Sequence, residues 1–324
     1  RLRTGERLLA VGTHALIEED VVFRDLALAV VDEQHRFGVV QRAALEAKGR
    51  GTNILVMSAT PIPRTVVLTL YGEFAVSVLD EMPSSRGAVR TVWLSESRRE
   101  DAYRDVADWL LRGEKGYVVF PLVAESEELD LRAASEGYEE LRARFPEHGV
   151  ALLHGQMPSE DKRAAMTAFR AGEVQLLVAT TVVEVGLDVP DASFLVIEHA
   201  DRFGLAQLHQ LRGRIGRKGQ PAVCYAIGDP TTDEARQRLA AFRDLTDGFK
   251  IAEADLRIRG PGDLLGTEQS GFVSQLRATD LTRDLPLLER AREEALRLAK
   301  EGIPPELGRE ATRRFGESLS LLGV

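Results

Sequence analysis

The sequence predicts an α/β protein of two successive parallel-sheet systems, the first incomplete, followed by a smaller, mainly helical third region. Three observations carry this. Short apolar runs recur along the 324 residues, and the segments between them have helical character. The runs are four to six residues long and do not alternate with polar residues, which is the mark of strands buried on both faces. Helices placed between such strands give parallel sheets.

Taken in order, the first system offers Leu8–Val11, Leu26–Val31 and Ile54–Met57. The second offers Val89–Leu94, Tyr117–Phe120, Val150–Leu153, Leu176–Ala179, Phe194–Ile197 and Ala222–Ile227. Ser97 and Glu100 have the spacing of a capping box, and Val106, Trp109 and Leu110 continue a helix that ends before Gly113. A second helix starts at Ser159, with Glu160 and Asp161 in its first turn, and stops at Gly172. The acidic stretch from Glu125 to Arg144 reads as a solvated helix face. Pro83 to Gly87 reads as a linker, giving boundaries of 1–86, 87–232 and 233–324. In the third region Leu287, Ala291, Ala295 and Leu298 mark a helix. With only three or four strands in 85 residues, the first system reads as the back half of a domain.

Composition narrows the function. No apolar run approaches the ~20 residues of a membrane-spanning helix. Cys224 is the single cysteine, so a disulfide framework is excluded, and with no secretory leader a cytoplasmic setting is expected. Forty-two basic against 51 acidic residues give a net charge of −9, so nucleic acid would have to be held by local patches.

Ligands of open parallel sheets bind beyond the carboxyl ends of the strands. There lie Gly12-Thr13-His14, Asp32-Glu33-Gln34-His35, Ser58-Ala59-Thr60, Thr180-Thr181 and Glu198-His199. An Asp-Glu pair after a buried strand can hold Mg²⁺ through water with the Asp and activate the attacking water with the Glu. As a lone dipeptide it is more often an acidic turn; His35 beside it and the hydroxyls of Ser58 and Thr60 one strand on suggest a relay. Between Arg202 and Gly228 five basic residues occur and no acidic one. A plain phosphate or nucleic-acid surface would account for that run. Within it, Gly213 and Gly216 permit close backbone approach. Arg214 and Arg217, three apart, are expected on one helical face as arginine fingers, with Gln210 orienting water or the γ-phosphate. The hydroxyls of Thr180 and Thr181 suit a nucleic-acid backbone, while Gly186 and Asp188 suit a nucleotide edge.

These blocks resemble motifs II, III, V and VI of superfamily 2 helicases, with Gly12 to His14 similar to motif Ib and Tyr117 to Pro121 to motif IV. Asp32 to Gly38, Ala59 to Thr65 and Arg202 to Leu205 resemble the RecG family in particular. Asp247 to Gly271 resembles the TRG motif that this family shares with the transcription-repair coupling factor. The resemblance implies two RecA-like lobes, the first incomplete, and a helical TRG region. It implies an ATP-dependent, Mg²⁺-requiring helicase acting on branched or double-stranded DNA, with single-stranded DNA-binding protein as a further partner, in a bacterial cytoplasm at the nucleoid. Asp32, Glu33, Gln210, Arg214 and Arg217 would be catalytic; His35, Ser58 and Thr60 coupling; Gly186 and Asp188 ATP-binding; Thr13, His14, Thr180 and Thr181 DNA-binding. Arg257, Arg259, Gly260, Gly262, Gly266, Gln269 and Gly271 would serve translocation; Arg257 and Arg259 point the same way if their segment is extended. His35 favours RecG over the coupling factor, a translocase that displaces RNA polymerase. A non-catalytic DNA-binding fragment is the third reading. Glu268 stands where many members of the family carry a basic residue. No Gly-x-x-x-x-Gly-Lys-[Ser/Thr] occurs in the 324 residues, so the chain is expected to be the C-terminal portion of such an enzyme and inactive alone.

Overall fold

The computed structural model describes residues 2, 4, 5, 9–33, 44, 45, 47–49, 51–58, 75–79, 81, 87–121, 127–180, 189–259 and 284–319, without the side chains of 127–130, 285, 311 and 314–319. The chain divides into two compact units, Arg1–Ile62 and Pro63–Val324.

In the first unit β1 (Leu28–Val31) and β2 (Asn53–Val56) pair in parallel, in register from Leu28 opposite Asn53 to Val31 opposite Val56. Side chains alternate faces along a strand, and Leu28, Val30 and Leu55 fall on the exposed side while Val31 is buried. Lys48 ties the preceding turn to the approach to β2, its Nζ donating to the carbonyls of Glu18 (2.8 Å) and Val21 (2.7 Å). The strand expected from Leu8 does not form. Residues 9–12 are irregular, with Leu9 and Val11 exposed, and they pair with no strand among the described residues. Apolar, β-branched character is only a weak preference until a ladder partner is present.

The second unit is a six-stranded, wholly parallel sheet: β3 (Val89–Leu94), β4 (Lys115–Phe120), β5 (Val150–Leu153), β6 (Leu176–Thr180), β7 (Ala192–Ile197) and β8 (Ala222–Ile227). Their spatial order is β3-β8-β7-β4-β6-β5. β4, β6, β7 and β8 are buried throughout, as their unalternating sequences require. One face is covered by α1 (Arg99–Leu111) and α2 (Glu127–Arg144), with Tyr103, Val106, Leu110 and Leu141 against Val118, Phe120, Val178 and Val196. The other face is covered by α3 (Ser159–Ala171), α4 (Leu205–Arg212), α5 (Asp233–Asp244) and α6 (Gly248–Arg259). There Phe169, Leu208, Phe242 and Ile251 join one core with Tyr117, Leu177, Leu195 and Cys224. Because α5 and α6 share this core, the chain after residue 233 begins as part of the second sheet's packing.

The helix ends explain themselves locally. α3 stops at Gly172, whose left-handed backbone (φ +83°) lets its N–H reach the carbonyls of the last turn. Thr232 caps α5 by accepting from the N–H of Ala235 (3.1 Å), and Asp247 accepts from the N–H groups of Phe249 and Lys250 to open α6. The capping box expected at Ser97 is absent. A 3₁₀ turn, Glu96–Arg98, runs into α1, and Ser97 Oγ lies 2.9 Å from Ser95 Oγ. Glu100 instead forms a two-pronged pair with Arg144, a charge-assisted contact that outcompetes folding back on its own backbone. Residues 83–86 of the expected linker lie outside the described residues; Gly87 is already fixed to the second unit, its N–H donating to Gly216 O at 2.8 Å. The helix marked by Leu287 to Leu298 is α7 (Leu285–Glu301), and α8 (Pro305–Leu319) follows.

Candidate functional site

In the first unit the acidic pair sits beyond the carboxyl end of β1. Val31 is buried and Asp32 exposed, so one strand position separates the core from the acid. Glu33 turns the chain with a left-handed backbone (φ +57°), and its N–H donates to Asp32 Oδ1 at 2.9 Å. Ser58, half-buried, follows β2 on the neighbouring tip. Thr13 and His14 are exposed at a short 3₁₀ turn, His14–Leu16, and do not follow a strand. His35 and Thr60 lie outside the described residues.

In the second unit α4 carries the basic run. Leu205, Leu208 and Leu211 anchor it in the core, which leaves Gln210 half-buried on another side. The expectation of a shared helical face for Arg214 and Arg217 is corrected here. α4 ends at Arg212, and both arginines, half-buried, lie on the turn beyond it. The reason is Gly216, whose φ of +70° no helix tolerates. A Cβ there would stand 3.1 Å from Val89 Cγ2 and 3.3 Å from Ala222 Cβ. The glycine is therefore needed for the turn and for packing on β3 and β8. Arg217 folds back on this turn, its Nε donating to Gly213 O at 2.9 Å. Gly216→Ala is expected to cost about 1–2 kcal/mol from the left-handed backbone alone, read as a lower urea midpoint; an unchanged midpoint would refute this account of the turn.

The burial of two charged groups was not legible beforehand. Arg212, from the same basic run, is an interior residue. Its Nη1 donates to Phe242 O (2.8 Å) and Thr91 Oγ1 (3.3 Å), and its guanidinium lies 4.8 Å from the centre of the Phe242 ring. Its spacing from Leu208, four residues back on the apolar stripe, was the available signal. Glu198, the first residue after β7, is only 2% exposed. It accepts from Tyr103 Oη (2.5 Å) and Arg99 Nε (2.8 Å), and Arg99 reaches on to both carboxylate oxygens of Glu140. Burial alone would lower the Arg99 pKa; the hydrogen bond to Glu140 and the charges around it raise it instead. Burial, with the Glu198 charge, drives the Tyr103 hydroxyl well above its usual value. Next to Glu198, His199 adopts a left-handed backbone (φ +49°) with its Nδ1 3.0 Å from Glu96 Oε1.

Thr180 closes β6 beside Phe120 and is fully buried, so its hydroxyl faces the interior rather than an open nucleic-acid surface. Thr181, Gly186 and Asp188 lie outside the described residues. Arg257 and Arg259 do not lie on an extended segment; both belong to α6, where positions two apart diverge. Both are exposed, and Arg259 has its Nε 3.2 Å from Asp255 Oδ1. Its guanidinium also covers Gly204, the residue that starts α4: a Cβ there would be 2.5 Å from Arg259 Nη2. Gly260, Gly262, Gly266, Gln269 and Gly271 lie outside the described residues.

The residues present fit part of a nucleotide site. Asp32 offers one exposed hard-oxygen donor, suited to a Mg²⁺ ion that keeps most of its waters. The described residues contain no cluster of three or more side chains able to cage a metal. The phosphate-cradling loop is not in this sequence.

The family model described as helicase conserved C-terminal domain matches residues 102–219, which include four strands of the six-stranded parallel sheet from β4 to β7 and the turn bearing Arg214 and Arg217. A second model, ATP-dependent DNA helicase RecG, domain 3, C-terminal, matches residues 245–307. The chain is homologous over almost its whole length to the C-terminal portion of the RecG family of ATP-dependent DNA helicases. It is 49% identical to the Thermotoga maritima RecG over 303 residues, which is 93% of this chain and 39% of that protein. It is 46% identical to the Aquifex aeolicus RecG, covering 99% of this chain and 42% of the relative. The chain thus spans about two fifths of the length of the curated relatives it matches. A solved structure of RecG bound to a three-way DNA junction superimposes with a TM-score of 0.66 at 45% identity, over 89% of this chain and 37% of that one. The DNA-bound helicase MrfA, at 15–16% identity and a TM-score of 0.51, shares the fold. No helix among the described residues is long and apolar enough to cross a membrane.

Proposed function

We propose that this chain is the motor portion of a RecG-type helicase, an enzyme that couples ATP hydrolysis to the remodelling of branched DNA. The observation that carries the reading is the combination, in one chain, of a complete second lobe bearing Gln210, Arg214 and Arg217 with homology to RecG through the residues that follow it. Arg214 and Arg217 meet the phosphates of a bound nucleotide, where guanidinium forks match phosphate oxygens and stabilise the charge that builds up during transfer. Gln210 orients the nucleophilic water. Asp32 would hold a Mg²⁺ ion, and Glu33 takes the proton that the nucleophilic water gives up as it attacks the γ-phosphate. The magnesium, when bound, neutralises phosphate charge. His35, Ser58 and Thr60 relay the state of the nucleotide, and Gly186 and Asp188 contact its edge. Thr13, His14 and Thr181 face the DNA backbone, and the stretch from Arg257 to Gly271 serves movement along the duplex.

The missing phosphate loop makes a second statement: the chain alone does not turn over ATP. The test joins residues 1–324 to the N-terminal part of the Thermotoga maritima relative and measures DNA-stimulated ATP hydrolysis. The chimera is expected to hydrolyse ATP, the isolated chain to be inactive, and Arg214→Ala in the chimera to lose at least ~10³-fold in turnover. Turnover by the isolated chain, or an Arg214→Ala chimera as fast as the parent, would defeat the reading. The rival of a simple DNA-binding fragment would instead give salt-dependent duplex binding indifferent to nucleotide.

A further inference from the structure

The turn that carries Arg214 and Arg217 has little rigidity of its own. Gly216 and Gly219 both take left-handed backbones (φ +70° and +84°), and the basic run from Arg202 to Gly228 contains no acidic residue. Its supports come from the chain that enters β7. Because β7 and β8 are parallel, α4 runs back from the carboxyl end of β7 to the amino end of β8. The turn after α4 and residues 189–192 therefore share one end of the sheet. Three contacts join them. The Gly216 N–H donates to Ala192 O at 3.0 Å, Gln220 Nε2 donates to Pro190 O at 3.3 Å, and Lys218 Nζ lies 3.6 Å from Asp191 Oδ2.

Asp191 is held from the other side as well. Its Oδ1 lies 3.2 Å from the ammonium of Lys115, which is buried at the start of β4 and donates to the carbonyls of Phe169 and Arg170. A carboxylate anchored on the core through one oxygen presents the other at a set place. Lys218, next in the chain to Arg217, meets it there with a side chain that is 58% exposed. So exposed a pair adds little to folding. Its effect is on placement, where a shift of about 1 Å near the reacting atoms can cost ~10²-fold in rate.

We propose that Asp191 is a positioning residue for ATP hydrolysis, fixing through Lys218 the turn that carries Arg214 and Arg217. This role rests on the reading of those arginines as the groups that meet the nucleotide. Residues 189–192 follow directly on Gly186 and Asp188, which the same reading sets on the nucleotide edge. The tie thus keeps the spacing between two stretches of the second unit that meet one ligand. Guanidinium groups act on the charge that builds up during transfer, so loosening the turn costs turnover rather than nucleotide affinity.

The test uses the chimera of residues 1–324 with the N-terminal part of the Thermotoga maritima relative and reads kcat, KM for ATP and the thermal midpoint together. Lys218→Met is expected to lower kcat roughly 3–10-fold, with KM unchanged and the midpoint within about 2 °C of the parent. Lys218→Arg, which keeps the charge, should retain the parent's kcat. Asp191→Asn should lower kcat at least as far, and adding Lys218→Met to it should cost nothing more, because both act through one contact. Arg214→Ala in the same chimera separates the two levels. If it slows turnover while Lys218→Met runs at the parent's rate, the positioning role is overturned and the nucleotide reading stands. If Arg214→Ala is as fast as the parent, the reading fails and the positioning role with it. A loss of kcat in Lys218→Met that tracks a lowered midpoint, or losses that multiply in the double variant, would leave Asp191 a structural acid only.

Discussion

Arg99→Met lowers the stability of the second unit by about 3–5 kcal/mol, the cost of removing one partner from a buried ion pair. The number follows from what stays behind. Glu198 is 2% exposed and, among the described residues, keeps Tyr103 Oη alone as a side-chain donor, while Glu140 loses both of its contacts to the guanidinium. The methionine conserves much of the aliphatic stem, so the loss is electrostatic more than a matter of volume. Glu198→Leu combined with Arg99→Met is expected to recover most of the deficit, because an apolar pair needs no solvation. Urea unfolding followed by the fluorescence of Trp93 and Trp109, both in this unit, reads the result. A single variant within 1 kcal/mol of the parent would mean that the network is as weak as an exposed pair. A double variant no better than the single would mean that packing, not charge, was lost.

Lys115→Met is the second large effect, expected at about 1–3 kcal/mol, because the Arg170 carbonyl loses its donor while the Phe169 carbonyl keeps the Gly172 N–H at 3.3 Å. Lys115 opens β4 with its side chain 9% exposed, and its Nζ donates to Phe169 O (2.9 Å) and Arg170 O (3.1 Å) at the end of α3. The same ammonium lies 3.2 Å from Asp191 Oδ1. Burial pushes the Asp191 carboxyl up, but the hydrogen bond and charge of Lys115, with Lys218 beyond, bring it below its usual value. The sign of the pH effect follows. A carboxylate depressed in the folded state stabilises the fold at neutral pH and loses that contribution as pH falls below about 4. The parent should therefore lose stability on acidification more steeply than Lys115→Met, and the two denaturation midpoints should converge toward low pH. A constant gap from pH 7 to pH 3 would exclude the Lys115–Asp191 linkage, leaving the helix-end carbonyls as the whole effect.

How much was legible from sequence depends on whether a feature is decided by its neighbours in the chain or by distant ones. Val150–Leu153 and Ala222–Ile227 were readable to the residue because apolar runs without alternation have few other homes. The stop of α3 at Gly172 was equally local. The failures share a different cause. Leu8 to Val11 looks like a strand, but a strand exists only beside another, and the sequence does not say which runs pair. Ser97 and Glu100 have the right spacing for a cap, but Glu100 is taken by Arg144, 44 positions on. Arg214 and Arg217 were placed on a helix because spacing of three suits one; Gly216 overrules it with a left-handed backbone (φ +70°), packed where a side chain would crowd Val89 and Ala222. Glu198 is invisible in the same way, its partners Arg99 and Tyr103 being 99 and 95 residues distant. The position of Asp32 and Glu33 just beyond β1 was therefore readable, while the distant partners that pack around the strand tips were not.

The bond from the Gly87 N–H to the Gly216 carbonyl has a mechanical consequence. One residue on from Gly87, Ala88 O accepts from the Ala222 N–H, so β3 and β8 zip together from this corner. A tug on the polypeptide where it joins the second sheet is transmitted within one peptide unit to the loop that carries Arg214 and Arg217, in shear along the strands rather than by peeling. Residue 87 is therefore a natural attachment point for a spectroscopic tension probe of that corner.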